Sequence, residues 1–394
     1  MSTIIPKCPF ENIQNPELEA EQIAELTKIT VRLLDKRYPD KEKISKFQSE
    51  HYPSSIQTLR GVHSKSHGCV KAVFEIDPDI GRDLQVGLFS EPGKKFDAII
   101  RFSNATGPLT ADVENGQHNS RGMAIKVFDV GGDVLTDDNG AHNQDFLMIN
   151  QPVFAFANTP DYLQVNKLLD TPEGEPEGKP DGFFAPLQNP GLPEDDKERI
   201  LKSLDIVKSI KSPSNPVVNP LEAQYFSAAP FLFGSDKVMK FSAKPRKDVS
   251  PKQLPNPPSE NYLREILIST MQNNEPIIFD FMLQIRTKAE LTDLDQDIEN
   301  ASFEWKETDY KFTKVATITI PAPQTEIDTE ENIAHCELMA FTPWHSLVEH
   351  KPIGSINRLR KSVYQASAGH RLEAPEEMPF LIRLLEKLFK SLFG

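Results

Sequence analysis

The chain has 394 residues, a formal net charge of −14 and a pI near 5.2, with 38% hydrophobic and 26% charged side chains. This is a globular composition with enough apolar material for a sizeable core, and it leaves no basic stripe to neutralise phosphates, which excludes nucleic acid as a partner. The 32 prolines exceed the usual ~5% and point to long irregular connections.

The first predicted element is a helix in "NPELEAEQIAELTKITVRLLDKRYPD", where Ile23, Leu26, Ile29, Val31, Leu33 and Leu34 recur at helical spacing, acidic residues come early and basic ones late. From about residue 58 the pattern turns to β character: "CVKAVFEI", "FDAIIRFS" and "GMAIKVFDV", then "KVMKFSAK", "EPIIFDFMLQIR" and "KVATITI", separated by Gly, Pro, Asn or Asp. Between these groups, residues 171–196 are too rich in Pro, Gly and Glu to form an element and read as a long loop. Helices are expected at about 196–210 and 260–272. The fold class is therefore α+β, an antiparallel β-barrel core with inserted and C-terminal helices. We divide it into an N-terminal helical arm (1–50), a barrel domain with helical insertions (51–343) and a C-terminal helical part (344–394).

Cys8, Cys69 and Cys336 are odd in number and far apart, which argues against both a disulfide framework and a zinc site and favours a reducing compartment. The first thirty residues lack a continuous apolar stretch and no run reaches 18 apolar residues, so a cytoplasmic, non-spanning protein is expected. The tail "PFLIRLLEKLFKSLFG" (379–394) is a basic amphipathic helix by periodicity. It suits packing on its own domain or on a second copy in a homo-oligomer, with peripheral membrane contact as the alternative.

Taken singly, the polar residues near the strand ends say little. His63 and Arg60 precede a strand, Arg101 and Ser103 end one, and together they suggest an anion site with a histidine. The ordered set "RGVHSK", "RFSNATG", "SRGMAIKVFD", "NQPVFAFANTPDYL" and "RLRKSVYQASAGHRL" is more specific. It resembles the haem catalase family, and more closely its short catalase-related branch of peroxidases and fatty-acid hydroperoxide isomerases, over residues 56–166 and 340–373. The resemblance implies a catalase-like barrel holding haem b. It gives His63 as the distal histidine, Ser103 as its hydrogen-bond partner, Arg60, Arg101 and Arg371 as contacts of the haem propionates, and Tyr162 as the aromatic stacked on the haem face. Tyr364 is implied as the tyrosinate on the iron, with Arg360 one helical turn before it. That spacing makes chemical sense, because residues four apart share a helix face and a guanidinium favours the ionised phenol that binds iron.

The expected chemistry is cleavage of a peroxide O–O bond, with His63 moving a proton between the two oxygens. The sequence departs from the catalase pattern at Ile149, where the first residue of an Asn-Asn pair is expected, which leaves Asn150 as the distal amide candidate. Ala105 stands where a channel valine is usual. Both suit an organic hydroperoxide better than hydrogen peroxide alone, whereas Val62 matches catalases rather than the allene oxide synthase relatives with threonine there. We therefore rank a haem peroxidase acting with an unidentified reductant first. A fatty-acid hydroperoxide isomerase is second, and a haem- or lipid-binding barrel without turnover third. No nicotinamide cofactor is expected, and His67, His118, His142, His335, His345 and His350 are read as surface or structural.

Overall fold

The structure, a computed structural model, describes residues 8–38 and 52–372 apart from 54–55, 57, 137, 139, 215 and 248–252. Asn15 caps helix α1 (Pro16–Arg37) by accepting from the Leu18 amide, with Pro16 in the first turn, Glu17 and Glu19 at the start and Lys36 and Arg37 at the end. Each choice suits the helix dipole and its unpaired terminal groups.

The strands β1 (Ser66–Ile76), β2 (Lys95–Asn104), β3 (Arg121–Val127) and β4 (Gln144–Ile149) come next, then helices α2 (Thr159–Leu169) and α3 (Glu194–Lys211). Strands β5 (Tyr225–Phe226), β6 (Phe231–Phe233) and β7 (Lys237–Pro245) lead to α4 (Tyr262–Met271), β8 (Ile277–Thr287), β9 (Thr313–Ile320), α5 (Glu330–Leu338) and α6 (Ser355–Leu372). All pairings are antiparallel in the order β5-β4-β3-β2-β1-β9-β8-β7-β6, and a further β5–β7 pairing closes eight strands into a barrel with β6 as a hairpin partner of β7. The α+β barrel expected from the alternating segments is the fold observed.

Alternation decides which side of the barrel can hold a site. One face of each strand points inward, and there Phe74, Phe102, Phe146, Phe241 and Phe281 are all at most 1% exposed. Their rings interlock, with Phe146 and Phe281 centroids 4.7 Å apart and Phe74 and Phe281 5.1 Å apart. The lumen is thus a packed core. The opposite face of β1–β4 carries Cys69, Arg101, Ser103, Gly122 and Ile149, with α5 packed on β1 and the 59–65 loop against Arg101 and Ser103. Helix α1 packs on α6 and α2, with Leu26, Ile29 and Leu33 against Leu163, Ile356 and Leu359. Arg358 fastens the same junction by ion pairs to Glu11 at 2.8 Å, Glu19 at 3.0 Å and Glu299 at 2.7 Å.

Some expectations are corrected. Cys69 and Cys336 form a disulfide with Cα atoms 6.0 Å apart, across 267 residues, tying β1 to α5. Wide separation in sequence argued against pairing, but separation along the chain says nothing about distance once α5 lies on the outer face of β1. Helix α2 was not foreseen, although Asn158 accepts from the Asp161 amide and Pro160 sits in the first turn, a start signal that was legible. The 171–196 loop contains a 3-10 stretch, Pro180–Gln188, anchored by buried Phe183. The expected helix at 379–394 lies outside the described residues. Among the described residues no helix is long and apolar enough to cross a membrane.

Phe146→Ala should lower unfolding free energy by about 3–5 kcal/mol, read from the urea midpoint, because its ring touches three others in the lumen; a loss below about 1 kcal/mol would contradict a close-packed interior.

Candidate functional site

The β2–β3–β4 ladder builds a floor. Register pairs Ser103 with Gly122 and Gly122 with Ile149, so these residues form one row across three strands and project to the same, outward face. His63 stands on this row. Its Nδ1 lies 2.9 Å from Ser103 Oγ, and a Cβ added to Gly122 would fall 2.5 Å from both His63 Nδ1 and Cε1. Only glycine permits that approach.

His63 has φ 56°, a left-handed conformation unusual for a residue with a side chain, so the surrounding contacts must hold it there. They include the Gly61 amide, which donates to Ser367 Oγ on α6 at 3.1 Å, and the Arg37 guanidinium of α1, which donates to the Gly61 carbonyl. The loop is thus tied to the helix that carries Tyr364. Burial, followed by the positive charges of Arg101, Arg360 and Arg60, lowers the His63 pKa to about 3. Burial and the neighbouring guanidiniums thus favour the neutral imidazole, whose Nδ1 is engaged by Ser103 Oγ.

On α6, Arg360 donates to the Tyr364 hydroxyl at 3.3 Å and to Asn357 Oδ1 at 3.0 Å, with its guanidinium carbon 5.2 Å from the Tyr364 ring centroid. Asn357 is fully buried and donates to the Pro230 carbonyl at 2.8 Å, so the arginine is braced from the barrel side. Tyr162 belongs to an aromatic cluster with Phe154 and Phe156, at ring distances of 5.6 and 6.1 Å. Burial, then the nearby Tyr364, raises its pKa.

The third group is a charge cluster that sequence reasoning did not assemble. Glu337 on α5, 1% exposed, accepts from Arg60 through one carboxylate oxygen and from Arg101 through the other at 3.1 Å. Arg60 also donates to the carbonyls of Cys336 at 3.1 Å and Met339 at 2.8 Å. Arg371 donates to the Glu337 and Met339 carbonyls. Burial would raise the Glu337 pKa, but Arg101, Arg60 and Arg371 overcome it and hold the carboxylate below its usual range. Burial, followed by Arg101, depresses the Arg60 pKa. Arg371 is lowered to about 10, first by burial, with Glu337 opposing and Arg101 adding to it.

Three guanidinium groups thus surround one carboxylate, Arg60 and Arg101 bonded to it and Arg371 bonded to the backbone beside it, an excess of two positive charges in a mostly buried corner. Arg371 Nε is buried and has no hydrogen-bond partner among the described residues. Such a corner suits an anion that brings two negative charges and further acceptors. A haem has two carboxylates on one edge, and the charge balance, the orphaned Nε and the phenol–guanidinium pair on α6 fit it. Asn150 does not join the His63 contacts: its Oδ1 accepts from the Arg121 amide at 2.7 Å and its own amide donates to the Arg121 carbonyl at 3.0 Å. Of the six histidines set aside, all but His142 are buried. Among the described residues no cluster of three His, Cys, Asp or Glu could hold a metal ion.

The barrel closed around phenylalanines, with its polar site on the outer face of β1–β4, is the catalase fold. A structure described as a bacterial catalase superposes with a TM-score of 0.62 at 16% identity, covering 97% of this chain and 65% of that one. A fungal catalase gives 0.61 at 16% identity over 85% and 62%, and catalase A from Saccharomyces cerevisiae 0.60 at 17% over 85% and 65%.

Residues 20–176 match the family model described as Catalase. The chain is 29% identical to the catalase of Staphylococcus haemolyticus over 123 residues, 31% of this chain and 22% of the relative. It is 30% identical to catalase HPII of Pseudomonas aeruginosa over 131 residues, 32% of this chain and 16% of the relative. The match to the Catalase model covers about two fifths of the chain, and the segment aligned to the curated catalases spans about a fifth of their length.

Gly122→Ala is expected to destabilise the fold by about 1–3 kcal/mol through overpacking against the His63 ring. In a His63→Ala background most of that loss should vanish in a denaturation double-mutant cycle; equal losses in both backgrounds would contradict the contact.

Proposed function

We propose that the protein is a haem-dependent peroxidase of the catalase-related type. It acts on hydrogen peroxide or organic hydroperoxides, with Tyr364 as the iron ligand and an external reductant closing the cycle. When bound, haem b would supply redox-active iron chemistry, with Tyr364 as the residue that would hold the iron. The observation that carries the reading is the pairing of a neutral, pinned imidazole with an arginine-braced phenol on the helix to which the imidazole's own loop is tied.

The chain's residues have distinct tasks. His63 Nε2 takes the proton from the near peroxide oxygen and returns it to the far one, which then leaves as water or alcohol. Ser103 fixes the ring through Nδ1. Arg360 holds the Tyr364 oxygen in place by donating a hydrogen bond to it at 3.3 Å, where the oxygen would serve as the iron's protein ligand. Arg60, Arg101 and Arg371 hold the carboxylates, and Tyr162 with Phe154 and Phe156 supplies an aromatic wall.

Ile149 supports an organic hydroperoxide over hydrogen peroxide. It pairs with Gly122 and faces the His63 side of the ladder, while Asn150 spends its side-chain oxygen on Arg121. A floor of glycine and isoleucine gives the far oxygen no amide donor and favours an apolar substituent there.

The haem-reconstituted protein should turn over a fatty-acid or aryl hydroperoxide, in the presence of a phenolic reductant, at a higher kcat/KM than hydrogen peroxide. Ile149→Asn should shift the ratio toward hydrogen peroxide by about two- to tenfold, the scale of one added hydrogen bond. Turnover of neither peroxide would sink the proposal, while rearrangement of the hydroperoxide without consumption of reductant would favour the isomerase reading.

A further inference from the structure

Three of the chain's lysines are buried within the described barrel region, and two of them are neutralised. Lys65 pairs with Asp112 at 2.8 Å and Lys126 with Asp145 at 2.9 Å and Asp138 at 2.6 Å. Lys240 is different. It lies on the outward face of β7, opposite Gln284 of β8, and is 4% exposed. Its side-chain nitrogen donates to the Phe303 carbonyl at 2.9 Å and lies 5.1 Å from the Trp305 ring centroid, with no carboxylate of the described residues in ion-pair contact. Gln284 donates to the Trp305 and Tyr310 carbonyls at 2.8 and 2.7 Å, which fixes the covering segment over the amine.

The same lysine lines a partly open cavity of about 100 Å³. The walls include Pro152, Phe226, Trp305 and Phe312, while Glu304 and Glu307, both exposed, stand on its edge. Burial, with Arg286 adding to it and Glu304 and Asp297 opposing, lowers the Lys240 pKa to about 7. An aromatic chamber with acidic groups at its edge repels anions and admits neutral apolar molecules. A buried amine with a substantial neutral fraction near pH 7 is a nucleophile toward carbonyl carbon.

We propose that this chamber is a binding and covalent-capture site for a small apolar aldehyde, with Lys240 as the nucleophile. The amine lone pair adds to the carbonyl carbon to give a carbinolamine, a proton passing from nitrogen to oxygen. Loss of water then leaves an imine, so one amine and one aldehyde give one imine and one water, with no change in oxidation state. The site is independent of the haem reading, since none of its residues contributes to the His63, Tyr364 or Glu337 groups.

The test is reductive trapping on the full chain with benzaldehyde and sodium cyanoborohydride at pH 7, read by intact mass and peptide mapping. Lys240 should be benzylated at least about tenfold faster than the typical exposed lysine, whose pKa near 10.4 leaves it almost wholly protonated at that pH. The preference should disappear by pH 10. Lys240→Arg should lose the fast site while leaving slow surface labelling unchanged, and benzoate in excess should give no protection. Absence of label at Lys240 in the unmodified chain, labelling in proportion to exposure, or protection by benzoate would each overturn the proposal.

Discussion

The corner where Arg60, Arg101 and Arg371 crowd around Glu337 is the constraint on which the rest of the site depends. A buried carboxylate between two guanidiniums fixes α5 against β2 and the 59–65 loop, and the Arg371 contacts bring the far end of α6 to the same point. One carboxylate cannot neutralise three such groups, and a buried surplus of like charge costs several kcal/mol unless another anion shares it. Through this corner the loop bearing His63 and the helix bearing Tyr364 are both referenced to one place on the barrel wall.

From there the ladder register does the fine positioning. A glycine under the imidazole, a serine on one side and an isoleucine on the other come from three strands whose pairing cannot slip by one residue without turning the row into the phenylalanine core. The same alternation that fills the lumen with rings leaves the outer face free for polar chemistry. It also explains why the site is built from a loop, a strand face and two later helices instead of the barrel interior.

How much of this the sequence carried differs from residue to residue. The barrel was legible because its strands alternate strongly, and the Arg360–Tyr364 pair because both partners lie one turn apart on one helix. His63 and Ser103 are 40 residues apart, and only resemblance to a family linked them, since their contact depends on register. Glu337 gave no signal: a glutamate in "AHCELMAF" looks like any helical surface carboxylate until α5 is laid against β1 and β2. For the same reason the Cys69–Cys336 pair was misjudged. Ile149 was noticed as a departure, but that it lies beside Gly122, and that Asn150 serves the backbone of Arg121, needed the β3–β4 pairing.

The central claim is that the surplus of two positive charges beside Glu337 is there to hold the two carboxylates of a porphyrin. Fluorescence quenching titrations of the haem-free chain with haemin and with haemin dimethyl ester, in which both carboxylates are replaced by neutral methyl esters, address it directly. The account predicts that haemin binds at least about a hundredfold more tightly, the scale of two charge-assisted contacts, with the advantage shrinking as salt is raised. Equal affinities for the acid and the ester would contradict it.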